Sequence, residues 1–260
     1  MLGAMIGDIV GSIYEWNNHR SVEFPFWGAK CDFTDDTVMT VAVADWILQG
    51  AGGNLAEILH RYGQAYPGRG YGGRFAGWLR AANPQPYNSW GNGSAMRVSA
   101  CGFAARSLEE ARDLARRSAE VTHNHPEGVK GAEATATAIY LARTGAGAAE
   151  IRRAIEDAFG YDLSRTCDEI RPAYEFNESC QATVPEAIIA FLEAKDFEGA
   201  IRLAISLGGD SDTLACITGG IAEAAWGVPA KLREQALGYL PAAFRQILEA
   251  FEARFPPPRG

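Results

Sequence analysis

The motif GGDSDT at residues 208–213 lies between two apolar runs, residues 200–207 and residues 214–226. Its two glycines permit a tight turn, and the aspartates Asp210 and Asp212 follow where the second apolar run begins. Asp and Thr at the start of a helix commonly cap free backbone N–H groups. The motif therefore predicts a turn into a helix, and its acidic residues are either helix caps or ligands of a bound group.

A second motif of the same kind, TDDT at residues 34–37, precedes the apolar run 38–48. Two similar acidic helix starts at distant points of the chain indicate that their carboxylates converge in space. Four carboxylates cannot converge at neutral pH without a cation, because like charges repel and raise one another's pKa. Carboxylate and hydroxyl oxygens are the ligands that Mg²⁺ or Mn²⁺ prefers, and no Cys/His set has the spacing of a zinc site.

Composition and charge bound the class of protein. The chain has 260 residues, 47% hydrophobic and 22% charged, as in a soluble globular protein, and we expect one domain over residues 1–260. A net charge of −8 argues against non-specific binding to nucleic acid or to an anionic membrane. Five scattered cysteines without a CxxC pair indicate reduced, buried thiols and a cytoplasmic protein.

The hydrophobic pattern is helical along the chain, and β-branched residues do not cluster in alternating runs. It predicts helices at about residues 2–15, 35–49, 54–65, 74–82, 94–105, 107–121, 126–143, 149–159, 185–194, 196–206, 212–225, 229–236 and 241–253. Residues 16–33, 83–93 and 160–184 are predicted to be irregular connections. The chain is therefore predicted to be an all-α protein of about a dozen helices.

The predicted first helix carries three glycines at a spacing of four, Gly3, Gly7 and Gly11. This spacing places them on one face, where another helix could approach closely. Because Asp8 interrupts the apolar residues and no basic segment precedes them, we interpret a buried helix rather than a signal peptide or a membrane span. A buried Asp8 needs partners and is predicted to support the cation site indirectly. Glu15, at the predicted helix end, is either a surface acid or a further site residue.

Residues 88–97, NSWGNGSAMR, place glycines and small polar side chains directly before a predicted helix. Free N–H groups at this helix start could bind an anion such as a diphosphate, and Trp90 could stack on a base. The alternative is a capped helix after a turn, with Trp90 in the core. The glycine-rich residues 66–73, YPGRGYGG, lack a preceding strand and a following GK[ST] sequence, so we interpret them as a turn between helices.

Two of the four histidines, His123 and His125, lie in the segment THNHPEG at residues 122–128, before a helical run opened by Pro126. An H-x-H pair can bind zinc, but no third soft ligand lies nearby. The spacing favours a capping turn with one hydrogen-bonded histidine. A histidine that contacts a substrate is the second interpretation.

Together these segments resemble the ADP-ribosylglycohydrolase family, which includes dinitrogenase reductase activating glycohydrolase. The resemblance runs from residue 2 to about residue 230 through MLGAMIGDIVGSIYE, FTDDT, YPGRGYGG, SWGNGSAMRV, THNHPEGVKGAEA and ISLGGDSDTLACITGGIAEA followed by WGVP. The combination of TDDT, GNGSAMR and GGDSDT in this order is highly specific, whereas any one of the three alone would be weak.

The resemblance implies an all-α orthogonal helix bundle that hydrolyses the bond between C1 of the distal ribose of ADP-ribose and an acceptor atom, at a centre of two Mg²⁺ or Mn²⁺ ions. The metal ligands it implies are Thr34, Asp35, Asp36, Asp210, Asp212 and Thr213. The catalytic residues it implies are Glu15, as a base or a gate near the metals, together with Asp36 and Asp210. The substrate-binding residues it implies are Ser89, Trp90, Gly91, Asn92, Gly93 and His123.

The implied substrate is an ADP-ribosylated protein or a small ADP-ribose conjugate, with no membrane partner and with nucleic acid only as an ADP-ribosylated substrate. Two other functions stay open, a module that binds ADP-ribose without cleaving it and a two-metal phosphoester hydrolase. The acceptor is open as well, because acceptor preference in the family lies partly in loops such as residues 16–32, and this loop is fairly short. Arginine, serine, nucleic-acid and O-acyl linkages all remain.

Overall fold

The computed structural model of the protein describes residues 1–258, and within them the chain forms fifteen α-helices. They are α1 Leu2–Gly11, α2 Asp35–Leu48, α3 Leu55–Ala65, α4 Gly73–Arg80, α5 Gly93–Met96, α6 Ser99–Ala104, α7 Leu108–Glu120, α8 Pro126–Arg143, α9 Ala148–Phe159, α10 Cys167–Ile170, α11 Cys180–Glu193, α12 Phe197–Ser206, α13 Ser211–Trp226, α14 Ala230–Leu237 and α15 Ala242–Arg254. The only extended pairing in residues 1–258 is an antiparallel bridge between Gly91 and Ser179. The prediction of an all-α fold is confirmed.

Helix α13 is the centre of the molecule, and α1, α8, α11 and α12 pack around it. Every residue of α13 from Ser211 to Ala224 is buried. A helix that is covered on all sides carries apolar and small residues around its whole circumference, which the sequence LACITGGIAEAA provides. The acidic start of α13 is therefore held inside the molecule, at the end of its most buried helix.

Helices α1 and α13 pack closely against each other over most of the length of α1, and glycines make this contact possible. A Cβ atom on Gly7 would lie 1.9 Å from the carbonyl oxygen of Ala215, and one on Gly11 would lie 2.5 Å from the Cα of Asp212. The predicted close approach along the glycine face of α1 is confirmed. Its consequence is that the residues of α1 meet the first turn of α13 with almost no side chain between the two backbones.

The helix predictions agree with the structure to within two residues at most boundaries, but three helices differ more clearly. Helix α1 ends at Gly11 and not at residue 15, because the Gly11 carbonyl accepts hydrogen bonds from Tyr14 N and from the Ser211 hydroxyl. The predicted helix 94–105 is two short helices, α5 and α6. Helix α11 begins at Cys180, five residues before the prediction, because Ser179 caps it and Pro185 is tolerated inside it.

The predicted connection 160–184 also contains the short helix α10, whose start is a capping box formed by Thr166 and Glu169. The five cysteines are free and buried, as the sparse, unpaired pattern predicted. Within residues 1–258, no helix combines the length and the apolar character that a membrane crossing requires.

Candidate functional site

A cavity of about 380 Å³ opens beside the first turns of α2 and α13. Its wall is formed by residues that are distant in the sequence and come from the segments around residues 15, 34–39, 70–75, 87–97, 123, 176–178 and 210–213. Every residue that the sequence assigned to the site lies on this wall. These are Glu15, Thr34, Asp35, Asp36, Ser89, Trp90, Gly91, Asn92, Gly93, His123, Asp210, Asp212 and Thr213.

Three of the four carboxylates of the two acidic motifs, those of Asp36, Asp210 and Asp212, converge as their sequence pattern predicted, whereas Asp35 belongs to neither of the groups that they form. Asp8, Asp36 and Asp212 each place a carboxylate oxygen within 4.8 Å of the others, and Glu15, Asp210 and Asp212 do the same. Asp212 belongs to both groups, so the acids form one continuous cluster. These residues therefore could hold metal ions at this end of the cavity.

The electrostatics of the cluster are compatible with a bound cation. Burial raises the pKa of Asp36 and of Asp212 well above the usual range, and the neighbouring carboxylates raise both further. Burial also raises the pKa of Asp210. Within residues 1–258 the buried Oδ1 of Asp36 has no hydrogen-bond partner. A buried acceptor without a partner is costly, and an oxygen-only donor set suits a hard divalent cation.

Asp8 holds the first turn of α2 from inside the molecule. Its fully buried carboxylate accepts hydrogen bonds from the N–H and the hydroxyl of Thr34 and from the N–H of Thr37. Burial raises the pKa of Asp8 to about 6, although these donors act in the opposite direction. Asp8 does not line the cavity, which fits its predicted supporting position.

The interpretation of the acidic motifs as helix caps is confirmed in TDDT but not in GGDSDT. Thr34 caps α2, and its hydroxyl oxygen accepts from the Asp36 N–H at 3.4 Å. Asp210 is the residue before α13, but within the described chain its carboxylate forms no capping bond. It accepts instead from the Asn92 side-chain amide at 2.6 Å. The hydroxyl of Thr213 lies 3.4 Å from Asp36 Oδ2 and so joins the two motifs.

Glu15 does not lie at a helix end as predicted, since α1 stops four residues earlier and Glu15 follows in a turn. The turn directs its carboxylate to the acidic cluster beside Asp210 and Asp212. Burial, then the charges of Asp210 and Asp8, raise the pKa of Glu15 to about 7. Glu15 is only partly buried, so it borders both the acidic cluster and the open part of the cavity.

The turn at residues 89–93 forms a second wall of the cavity. Its backbone is fixed by hydrogen bonds from Asn92 N to Glu178 O at 2.7 Å and from Cys180 N to Trp90 O at 3.0 Å. Trp90 is 48% exposed, so the alternative that placed it in the core is wrong. The Asn92 amide donates to Thr183 Oγ1 at 3.1 Å and to Asp210, so its side chain links this turn to the acidic cluster.

The two histidines have different places. His125 caps α8, where its Nδ1 accepts from the Glu127 N–H at 3.1 Å, as the capping interpretation predicted. His123 lies on the cavity wall and is only 5% exposed. Burial and the nearby positive charges of Arg97 and Arg74 lower the pKa of His123 well below its usual value.

Several residues of the cavity wall were not predicted. The segment 66–73, interpreted as a simple turn between helices, contributes Gly70, Gly72 and Gly73 to the wall, and Arg74 follows directly after it on the same wall. The other unpredicted wall residues are Met39, Phe75, Tyr87, Met96, Arg97, Phe176 and Glu178. The dense glycines of YPGRGYGG were a usable signal, whereas Phe176 and Glu178 lie in a connection without any recognisable pattern.

The fold and the site define an all-α protein with a metal-compatible carboxylate cluster at one end of a ligand-sized cavity. A model of the ADP-ribosylglycohydrolase family matches residues 1–257. The chain therefore belongs to the ADP-ribosylglycohydrolase family.

Individual relatives are similar along most of their length. The chain is 28% identical to mouse (Mus musculus) ADP-ribosylhydrolase ARH3, in an alignment that covers 97% of this chain and 87% of ARH3. It is 30% identical to the ADP-ribosylarginine hydrolase Tri1 of Pseudomonas putida (strain GB-1), covering 88% of this chain and 70% of Tri1. A solved structure titled ADP-ribosylglycohydrolase-related protein complex has the same fold, with a TM-score of 0.72, 24% identity, and coverage of 97% of this chain and 96% of the other.

Proposed function

We propose that this protein is a divalent-cation-dependent hydrolase that cleaves the glycosidic bond at C1 of the distal ribose of ADP-ribose and releases ADP-ribose from a protein side chain or a small acceptor. The observation that carries the proposal is the convergence of the acidic cluster and the turn at residues 89–93 on one cavity. Membership of the ADP-ribosylglycohydrolase family supports the substrate class.

The residues present fit two hard cations, Mg²⁺ or Mn²⁺. The proposed ligands Thr34, Asp35, Asp36, Asp210, Asp212 and Thr213 offer only oxygen atoms and lie together on the cavity wall. The unpartnered Oδ1 of Asp36 and the raised pKa values of the buried aspartates support a positively charged occupant. When bound, such cations would supply positive charge beside the ribose hydroxyls and the attacking water.

Glu15 is the proposed base. It lies in a turn rather than a helix and is partly exposed, and its carboxylate is grouped with those of Asp210 and Asp212. From this place it can accept a proton from a water molecule that approaches the ribose C1. The transition state at C1 has oxocarbenium character, and the carboxylates of Asp36 and Asp210, both on the cavity wall, would stabilise its positive charge.

The opposite wall suits the diphosphate and the adenosine. The side chains of Arg74 and Arg97 lie near Tyr87 and His123 and bring positive charge to this part of the cavity. Ser89 Oγ accepts from the Gly91 N–H at 3.1 Å, which shapes the turn. The exposed face of Trp90 is available to stack on the adenine base. The cavity is thus acidic where the ribose bond would break and basic where phosphates would lie.

The acceptor side of the substrate would meet an aromatic pair at the cavity mouth. Trp16, which follows Glu15 and is 77% exposed, stacks on Phe176 with ring centroids 5.2 Å apart. Phe176 itself lines the cavity. Because the name of the relative Tri1 specifies ADP-ribosylarginine, an arginine conjugate is the first substrate to test, and the serine, nucleic-acid and O-acyl conjugates complete the set.

A substrate panel tests the proposal. Each ADP-ribose conjugate is incubated with the protein in Mg²⁺, in Mn²⁺ and in EDTA, and free ADP-ribose is measured. We expect release of ADP-ribose from at least one conjugate with a metal and none in EDTA. Binding of ADP-ribose without release from any conjugate would instead indicate a binding module, and release of inorganic phosphate or nucleotide monophosphate would indicate a phosphoester hydrolase.

A further inference from the structure

The two ring nitrogens of His123 face different surroundings. Nδ1 lies 2.7 Å from the hydroxyl oxygen of Thr122 in the buried interior. Nε2 faces the turn of the cavity wall, where a Cβ atom on Gly93 would lie 3.2 Å away. Which nitrogen carries the proton decides whether the cavity meets a hydrogen-bond donor or an acceptor, and the hydrogen-bond network of the neighbours determines that choice.

The buried Arg97 restricts the hydrogen bonds that the Thr122 hydroxyl can form. Its guanidinium is 1% exposed and forms no salt bridge with a carboxylate of residues 1–258. It donates to Thr122 Oγ1 at 2.9 Å and to the Ser118 carbonyl oxygen at 2.5 Å. Because a guanidinium has only donors, the oxygen of Thr122 must accept in this contact.

The single hydroxyl proton of Thr122 is then available for His123 Nδ1. If Nδ1 carried a proton, Thr122 would accept from both neighbours, and its own proton would be left without an acceptor at a residue that is 0% exposed. Buried donors without partners are costly. A fully protonated imidazole is also disfavoured, since burial and the positive charges of Arg97 and Arg74 lower the pKa of His123.

We propose that Arg97 and Thr122 are positioning residues, which fix His123 as a neutral imidazole with its proton on Nε2 and so present a permanent hydrogen-bond donor to an oxygen atom of the ligand. In this state His123 cannot act as a general base or a metal ligand through Nε2, because that nitrogen has no free lone pair. The inference rests on the proposed function only where it identifies the ligand as ADP-ribose, whose phosphate and hydroxyl oxygens accept hydrogen bonds.

Nitrogen NMR on the whole protein tests the proton position directly. The protein is labelled with ¹⁵N at histidine, and the His123 signals are assigned as those missing from the His123→Gln variant. We expect Nδ1 of the wild type to resonate as an unprotonated acceptor and Nε2 as a protonated nitrogen, without titration around pH 6.5, where an ordinary histidine titrates. A proton on Nδ1, or an ordinary titration of the ring, would overturn the proposal.

Three variants test the residues behind His123. Thr122→Val removes the hydroxyl at constant shape, and Arg97→Met removes the donor that orients it. Both are expected to give a mixture of proton positions, and Thr122→Ser is expected to retain the wild-type pattern. A wild-type pattern in folded Thr122→Val or Arg97→Met would remove that residue from the arrangement. If either variant fails to fold, the wild-type and Thr122→Ser spectra still decide the proton position.

Calorimetry with ADP-ribose separates this inference from the proposed function. We expect Thr122→Val to weaken ADP-ribose binding in proportion to the fraction of the ring that no longer carries its proton on Nε2, about twofold for an equal mixture of the two proton positions, and Thr122→Ser to bind like the wild type. Unchanged affinity in Thr122→Val would overturn the donor role of His123. If no variant and no wild-type protein bound ADP-ribose while the NMR pattern was as expected, the arrangement around His123 would stand and the ligand assignment would fail.

Discussion

The carboxylate of Asp8 on α1 accepts a hydrogen bond from the hydroxyl of Thr34, the residue that caps α2, at 2.7 Å. It also accepts from the Thr34 backbone N–H at 3.0 Å. Since the Thr34 proton points toward Asp8, a lone pair of the Thr34 oxygen is left for the cavity side. Asp8 therefore orients Thr34, a proposed metal ligand, although Asp8 does not itself line the cavity.

This relationship predicts the effect of Asp8→Asn. The asparagine keeps the size of the side chain but presents an amide group to three donors that need acceptors, so the first turn of α2 should shift. We expect the affinity for Mn²⁺, measured by calorimetry, to fall by about 10- to 100-fold, as for other residues that orient metal ligands. Asp45→Asn, on α2 but outside the cavity, is the control. Equal Mn²⁺ affinity of the two variants would contradict the prediction.

The proposed metal ligands of α13 should be more sensitive. Asp210→Ala and Asp212→Ala each remove a carboxylate from the cluster while the helical core stays intact, so the circular dichroism spectrum should not change. We expect release of ADP-ribose to fall by more than about a hundredfold, beyond the loss typical of residues that only support a ligand, and Mn²⁺ binding to weaken in parallel. Full activity of both variants in EDTA would refute the metal site.

Replacement of Trp90 tests the nucleotide wall. Because Trp90 is 48% exposed, Trp90→Ala should fold normally. Loss of stacking on a base is worth about 1–3 kcal/mol, and the adenosine is remote from the bond that breaks. We therefore expect KM to rise about tenfold or more with little change in kcat, and Trp90→Phe to restore most of the affinity. A drop in kcat at unchanged KM would show that Trp90 acts on the reaction instead.

Glu15→Gln separates an enzyme from a binding module. Glutamine keeps the size and most of the hydrogen bonding of Glu15 but cannot accept a proton from water. We expect ADP-ribose affinity and Mn²⁺ affinity near those of the wild type, with kcat lowered at least about a hundredfold, the low end for a lost general base. Single-turnover kinetics, calorimetry and metal titration on this variant distinguish the possible roles.

The control for this experiment is Glu23→Gln, an exposed glutamate of the same irregular segment that does not line the cavity. Identical kinetics of Glu15→Gln and Glu23→Gln would remove Glu15 from the mechanism. A parallel fall of metal affinity and rate in Glu15→Gln would make it chiefly a metal ligand.

The packing of α1 against α13 predicts a difference between two helical glycines. A Cβ on Gly7 would clash with the backbone of Ala215, whereas a Cβ on Gly77 of α4 meets nothing within 4 Å. Gly7→Ala should therefore lower the free energy of unfolding by about 1–3 kcal/mol or more. Gly77→Ala should raise it by about 0.5–1 kcal/mol, since alanine favours helices. Chemical unfolding of the two variants measures both changes, and similar stabilities would contradict the packing.

Much of the site was readable from the sequence because its residues are grouped in short motifs at helix starts. The turn and capping residues of TDDT and GGDSDT predict helix starts, and both motifs contain more acidic residues than a helix cap requires. The spacing of the glycines of α1 was enough to predict a close contact with another helix. The position of Glu15 could not be predicted in this way, because the carbonyl oxygen of Gly11, where α1 ends, accepts a hydrogen bond from the hydroxyl of Ser211, which is distant in the sequence.

The local sequence by itself determined the helices, the two acidic turns and the glycine face, since these depend on neighbours within a few residues. The convergence of Asp36 with Asp212 was predicted, but only the tertiary structure decided that Asp8 joins their cluster and that Trp90 faces the cavity. It also decided that the buried Arg97 reaches Thr122 and that residues 70–74 complete the wall. The physical reason is that these contacts join distant segments, and close packing of α1 on α13 brings their ends together.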